Sequence, residues 1–307
     1  LSKNKIEQPY IRTFCVKKKI FAVALALLTF IMVILAASTQ SSQSLSHENI
    51  NEIYVFGDSL SDTGNIFKAT NGVYPPSPPY FQGRYSNGPV WVEHLSSKLG
   101  LNQTKNMNFA LGGATTVSSS LNGIPGTLAQ VNSYTKSLPQ VNPNALYILW
   151  AGANDYLFGA TNTNSAIANI SNAVESLLTA GVNTILVANL PDLGKIPATY
   201  NTANASNLSF ITNQHNLELS KSIDSLQKKL GFHKNIIQLD TNHLYREAIS
   251  YPAKFGFTNV TSSCLSNITS CKNPDQFLFW DGIHPTTAAH RILADAALKA
   301  IINLPRL

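Results

Sequence analysis

The sequence predicts an α/β protein, a three-layer sandwich of helices around a parallel sheet. Three observations lead there. Five short runs rich in Ile, Val, Leu and aromatic residues alternate with helical patterns, the order that parallel pairing requires. The runs are almost continuously apolar, as strands covered on both faces are. No break in composition and no internal repeat follows residue 50, so 51–307 reads as one domain.

Strands are expected at Ile53–Phe56, Met107–Ala110, Leu146–Trp150, Thr184–Ala188 and Ile236–Leu239. A short helix is expected over Trp91–Leu99. Ile167, Ile170, Val174, Leu177 and Leu178 recur at helical spacing, and Gly181 stops that helix. Leu219, Ile223, Leu226 and Leu230 repeat the pattern, with Gly231 as the stop. Pro285, a favoured first helical residue, opens a last helix through Ala289, Ile292, Leu293 and Ala296. The proline-rich run Tyr74–Phe81 reads as a stiff, extended surface segment, and alternatively as a wall of a substrate cleft.

The formal net charge of +6 suggests a nucleic-acid or membrane binder until the basic residues are located. Lys17, Lys18 and Lys19 precede an apolar stretch, Ile20–Ala37, closed by the small residues Ala36, Ala37 and Ser38. A polar Ser/Gln run follows. That order is a secretory signal peptide, with an uncleaved membrane anchor as the alternative. The expected organisation is a removable leader over 1–38, a polar linker over 39–50, and the domain. Residues 1–16 do not resemble the start of a leader, so translation is expected to begin at Val16. The leader holds six of the 22 basic residues and one of the 16 acidic ones, leaving 16 against 15 and a charge near +1. The basic excess belongs to the leader, and no nucleic-acid partner is expected. Past the leader only Cys264 and Cys271 remain, which in an exported chain predicts one disulfide. No His cluster accompanies them, so no zinc or other metal site is expected.

The chemistry-bearing residues lie at strand ends, where open α/β sheets build their sites. Strand one runs into Gly57-Asp58-Ser59, which exposes a serine at the sheet edge. Alone this is a common turn composition. A serine hydroxyl needs a base, and the base needs an orienting group. Asp281-Gly282-Ile283-His284 supplies both on one turn, with Asp281 in reach of Nδ1 of His284 and Nε2 left for Ser59. His94, His215 and His290 lie in helical patterns, and His233 and His243 near polar turns. Each reads as a surface or internally satisfied histidine. Leu111-Gly112-Gly113 follows strand two and Gly152-Ala153-Asn154-Asp155 follows strand three. Glycines admit close approach of N–H groups, and Asn154 adds a side-chain amide donor, as an oxyanion requires. No G-x-S-x-G elbow occurs, which disfavours an ordinary α/β-hydrolase.

Four blocks, FGDSLSDTGN from Phe56, NFALGGA from Asn108, AGAND from Ala151 and DGIHP from Asp281, together resemble the signature of the GDSL esterases and lipases, also called SGNH hydrolases. Gly83–Trp91 also resembles a segment of that family, and the matches run from Val55 to His290. The resemblance implies a flavodoxin-like SGNH hydrolase fold with a five-stranded parallel sheet. It implies Ser59 as nucleophile, Asp281 and His284 as acid and base, and the Ser59 and Gly113 N–H groups with the Asn154 amide as the oxyanion hole. No cofactor is implied. Within the family the chain is most similar to bacterial secreted lysophospholipases A, phospholipases A and glycerophospholipid:cholesterol acyltransferases. The expected substrate is therefore a lipid ester, met by transient contact with a membrane or micelle surface, with no obligate protein partner. Two alternatives use the same fold: a secreted carbohydrate esterase with the same triad, and a catalytically silent binding module.

Overall fold

A computed structural model describes residues 50–101, 107–137, 141–231, 234–267 and 269–303, so the leader and all of the linker but Ile50 lie outside the described residues. Five strands form one parallel sheet: β1 (Glu52–Gly57), β2 (Met107–Asn108), β3 (Ala145–Trp150), β4 (Thr184–Ala188) and β5 (Asn235–Leu239), in the order β2-β1-β3-β4-β5. β1 and β3 pair along their whole length, from Glu52 opposite Ala145 to Gly57 opposite Trp150. Every residue of β3 is buried. Strand side chains alternate between faces, so Leu146, Ile148 and Trp150 enter one core and Ala145, Tyr147 and Leu149 the other. A Leu149→Ala change would cost about 2–5 kcal/mol, the range for truncating a buried leucine. This is the α/β sandwich read from the sequence, a five-stranded parallel sheet covered on both sides.

The first core is covered by α2 (Trp91–Lys98), after the short α1 (Asn65–Ala69), and by a last helix over Thr287–Ile302. The second packs α3 (Thr127–Ser137), α5 (Asn164–Thr179) and the C-terminal half of α6 (Ala205–Leu230). The one-turn α4 (Ala153–Leu157) follows β3, and α7 (Thr241–Ser250) follows β5. Two short strands, β6 (Asn259–Ser263) and β7 (Phe277–Phe279), pair in parallel beside the sheet and precede α8, the Thr287–Ile302 helix.

Several sequence expectations need correction. β2 is regular only over Met107–Asn108, although its backbone stays bonded to β1 beyond that, with the Phe109 N–H donating to Val55 O and the Leu111 N–H to Gly57 O at 2.8 and 3.1 Å. On its other side Asn65 Nδ2 donates to the Asn108 and Ala110 carbonyls at 3.0 and 2.8 Å. Pro285 does not begin α8. Thr286 is the N-cap, accepting from the Ala289 N–H, while Pro285 bridges back to Phe279. The proline-rich segment is not extended either. It folds through turns, with the Tyr80 N–H donating to the Pro76 carbonyl at 3.1 Å. His243 lies in the first turn of α7, its N–H donating to the capping Asp240 Oδ1 at 2.9 Å; His233 lies outside the described residues. α3 and α7 carry short buried faces, Leu128, Val131 and Tyr134 beside the polar Thr127 and Gln130 in the one and Thr241, Tyr245 and Ala248 in the other, and neither is among the helices expected from the sequence.

Candidate active site

The loop leaving β1 carries Ser59 and is tied down from below. Gln130 of α3 is buried and pairs with both backbone groups of Gly57, its Nε2 donating to Gly57 O and its Oε1 accepting from Gly57 N, each at 3.0 Å. Asp62 accepts from four N–H groups. Gly64 and Asn65 donate to its Oδ1 at 2.8 and 2.6 Å, and Ile66 and Gly112 to its Oδ2 at 3.2 and 2.9 Å. Burial pushes the Asp62 carboxyl up, and these four bonds oppose it. The Gly112 bond crosses to the loop after β2, and Asn108 Nδ2 returns the tie by donating to Ser61 O at 2.7 Å. The nucleophile loop and the glycine loop are therefore one hydrogen-bonded unit.

The turn between β7 and α8 presents the other two groups. His284 Nε2 lies 2.9 Å from Ser59 Oγ, and its Nδ1 lies 2.7 Å from Asp281 Oδ2. Asp281 Oδ1 accepts the backbone N–H groups of Ile283 and His284 at 2.8 and 2.7 Å. Burial alone would raise the Asp281 carboxyl, but the His284 charge and ring hydrogen bond, with the two N–H donors, hold it well below the usual carboxylate range. A charge-assisted pair of this kind fixes the imidazole tautomer, leaving Nε2 unprotonated and facing the hydroxyl.

The turn is braced by side chains from distant segments. Tyr80, from the proline-rich segment, donates its O–H to Asp281 Oδ2 at 2.7 Å. The Tyr85 ring packs against the His284 ring at 5.1 Å. Ser86 Oγ donates to Pro285 O at 2.9 Å, and Asn87 Oδ1 accepts the Thr287 N–H at 2.9 Å. Cys264 and Cys271 form a disulfide whose loop braces the same turn, with Cys264 N–H donating to Phe279 O and Leu265 N–H to Trp280 O at 3.0 and 2.7 Å.

Uncommitted N–H donors lie on the segments that follow β1, β2 and β3. The N–H groups of Ser59 and Gly113 have no hydrogen-bond partner among the described residues. Asn154, on α4, is buried and gives one amide N–H to Ala114 O at 2.9 Å, which fixes its rotation and leaves the second N–H uncommitted. Asp155 clamps the same pair of loops, accepting the Thr116 N–H and hydroxyl at 3.0 and 2.6 Å. Glycine is required at two places here. A Cβ on Gly112 would stand 2.1 Å from the Tyr85 hydroxyl oxygen, and one on Gly152, at φ 117°, would stand 2.8 Å from the His215 ring.

The structure thus brings Ser59, Asp281 and His284 into one hydrogen-bonded line, with Gly113 on the loop bonded to the Ser59 loop and Asn154 on α4 bonded to that loop's Ala114. The remaining described histidines stay apart from that line. His215 is buried against Tyr156, its Nδ1 2.7 Å from the hydroxyl, and burial pushes it down to about 4. His290 is wholly buried and held well below its ordinary value by burial and by His94 and His284. Of the two readings the sequence left open for them, surface or internal, these two are internal. Tyr80, Tyr85 and Gln130 were missed. Tyr80 lies 201 residues from its partner, and no local pattern marks it. Asp62 and Asn65 lie in the FGDSLSDTGN block and Asn108 opens the NFALGGA block, and their place in those blocks is the one clue the sequence holds to them.

The family model for GDSL-like lipase/acylhydrolase proteins matches residues 53–297. The chain belongs to this family. Among curated relatives, a thermolabile hemolysin of Vibrio parahaemolyticus is 30% identical over 85% of this chain and 66% of its own length. A phosphatidylcholine-sterol acyltransferase of Aeromonas hydrophila is 28% identical over 83% of this chain and 91% of its own. A secreted effector protein of Salmonella typhimurium is 30% identical over 82% of this chain and 64% of its own. The chain therefore spans slightly under two thirds of the hemolysin and the effector, and most of the acyltransferase. Membership in the GDSL family makes the coarse activity ester hydrolysis, and the four loops just described are where its signature blocks fall.

Proposed function

We propose that this GDSL hydrolase is an exported enzyme that releases fatty acid from lysophospholipids or phospholipids through an acyl-enzyme on Ser59. The observation that carries the chemistry is the unbroken line from Ser59 Oγ to His284 Nε2 and from His284 Nδ1 to Asp281, at 2.9 and 2.7 Å. Ser59 attacks the ester carbonyl as His284 takes its proton, and Asp281 stabilises the imidazolium. The N–H groups of Ser59 and Gly113 and the free N–H of Asn154 receive the oxyanion. His284 then protonates the leaving alcohol and afterwards draws a proton from water, which clears the acyl group. An alcohol such as a sterol in place of that water gives acyl transfer.

Three observations support the lipid substrate and the export. The names of the acyltransferase and the secreted effector point to phospholipid chemistry in one relative and secretion in another. The disulfide and the lysine-led apolar leader are the marks of an exported chain. Val73, Tyr74 and Ile283 are exposed, at 72%, 55% and 38%. Tyr74 contacts Tyr85, which contacts His284, so this apolar rim lies beside the base and suits transient contact with a lipid surface. The test is purified enzyme given lysophosphatidylcholine, diacyl phospholipid, short-chain nitrophenyl esters and acetylated sugars, each with and without cholesterol. Fastest turnover is expected on the lysophospholipid. Fastest turnover on acetylated sugars with no fatty acid released would assign a carbohydrate esterase instead.

A further inference from the structure

We infer that Tyr80 is a positioning residue of the catalytic machinery, the side-chain donor that holds the Asp281 carboxylate against His284. The inference rests on the triad assignment above and adds a fourth member to it. Asp281 Oδ1 is filled by backbone, from Ile283 and His284, and would stay filled whatever happens elsewhere. His284 Nδ1 lies 2.7 Å from Oδ2 and 3.0 Å from Oδ1, and Oδ2 also receives the Tyr80 hydroxyl, at 2.7 Å. Tyr80 is thus the group that decides where Oδ2 sits when the imidazole gains and loses its proton.

Tyr80 is itself held in place. Its ring meets Trp280 edge-on at 6.5 Å and Tyr85 at 6.3 Å, and it packs on the buried cluster around the Cys264–Cys271 loop. Its hydroxyl stays protonated, since burial and the neighbouring Asp281 charge both push its ionisation upward. It donates and never competes for the His284 proton. A neutral donor on Oδ2 spreads the carboxylate charge and so weakens its hold on the imidazolium. Without it the carboxylate's hold on the imidazolium would tighten. The other groups facing this pair are Asp58 from the nucleophile loop and His290 from α8, with Tyr74 and Tyr85 facing Tyr80. A Tyr80→Phe change alters none of them.

The test compares full-length wild type with Tyr80→Phe, which keeps the ring and its packing and removes the O–H. kcat on a nitrophenyl ester should fall about tenfold with KM within twofold, and the acid limb of kcat/KM should move upward by about half a pH unit. In an Asp281→Asn background the same change should have little further effect, because the two groups act as one unit. Fluorophosphonate labelling of Ser59 should slow in proportion to kcat. Wild-type kinetics in Tyr80→Phe would overturn the inference. So would a loss that leaves the acid limb in place or adds fully to Asp281→Asn, since that assigns Tyr80 to packing alone. Failure of the probe to label wild-type Ser59 would instead remove the triad assignment, and the inference with it.

Discussion

Truncating Asn154 isolates the one oxyanion donor that comes from a side chain. Asn154→Ala removes two interactions of different kinds. The bond to Ala114 O, 2.9 Å long and buried, is present in the resting enzyme and contributes to stability. Its loss should cost about 1 kcal/mol, roughly 2–4 °C in Tm for a domain of this size. The second amide N–H is engaged only as the tetrahedral oxyanion forms, so its loss should appear in the rate of chemistry. Removing one such donor costs on the order of 10²–10³ in kcat, about 2.7–4 kcal/mol of transition-state stabilisation. KM should stay within about twofold, because the ground-state ester gains little from this group. Asn154→Asp keeps the shape but sets a carboxylate against the oxyanion, and should be at least as damaging. The assay is steady-state hydrolysis of a nitrophenyl ester alongside a thermal melt of the same preparation. A kcat within threefold of wild type, or a change confined to KM, would refute the placement of Asn154 in the oxyanion hole.

Ser59→Ala and His284→Ala should each lower kcat by on the order of 10⁵–10⁶ with the fold retained by circular dichroism. Asp281→Ala should cost less, since backbone contacts still hold the turn, and near-wild-type activity in His284→Ala would end the triad assignment. Burial raises the Asp58 carboxyl to about 7, so the folded chain keeps a proton that an unfolded aspartate loses near about 4. Its contribution therefore favours folding below about 4 and weakens as pH rises toward about 7. Melts of wild type and Asp58→Asn across that window should diverge with rising pH, the variant being relatively more stable at the alkaline end. Superimposable curves would contradict the burial argument. Replacing Cys264 and Cys271 by Ser opens an eight-residue loop, seven positions apart, and should cost about 2.5 kcal/mol of stability. Because that loop donates to Phe279 O and Trp280 O, kcat should fall as well; a change in Tm with kcat untouched would make the disulfide a staple only.

What the sequence revealed and what it hid divide along physical lines. The strands were legible because β3 and β4 are buried on both faces and so read as unbroken apolar runs. Asp281 and His284 were legible because one short turn carries acid and base together. Long-range polar ties were not legible. Gln130 clasps Gly57 across 73 residues, and Tyr80 reaches Asp281 across 201, with no periodicity to announce either. The start of α8 was misplaced because a favourable residue, Pro285, precedes a better cap, Thr286, whose hydroxyl also donates to Phe277 O at 2.7 Å. Helix interiors hid the buried histidines. His215 and His290 stand on core-facing positions, but only packing distinguishes these from solvent-facing ones.

The central claim is that the ester's acyl group passes through Ser59. The direct measurement is mass spectrometry of the enzyme quenched in acid during turnover of a long-chain nitrophenyl ester, followed by peptide mapping. An acyl adduct on the peptide carrying Ser59 is expected, at the level set by acylation against deacylation, and absent in Ser59→Ala. Turnover accompanied by an adduct on a different residue, or by undiminished rates in Ser59→Ala, would contradict the assignment.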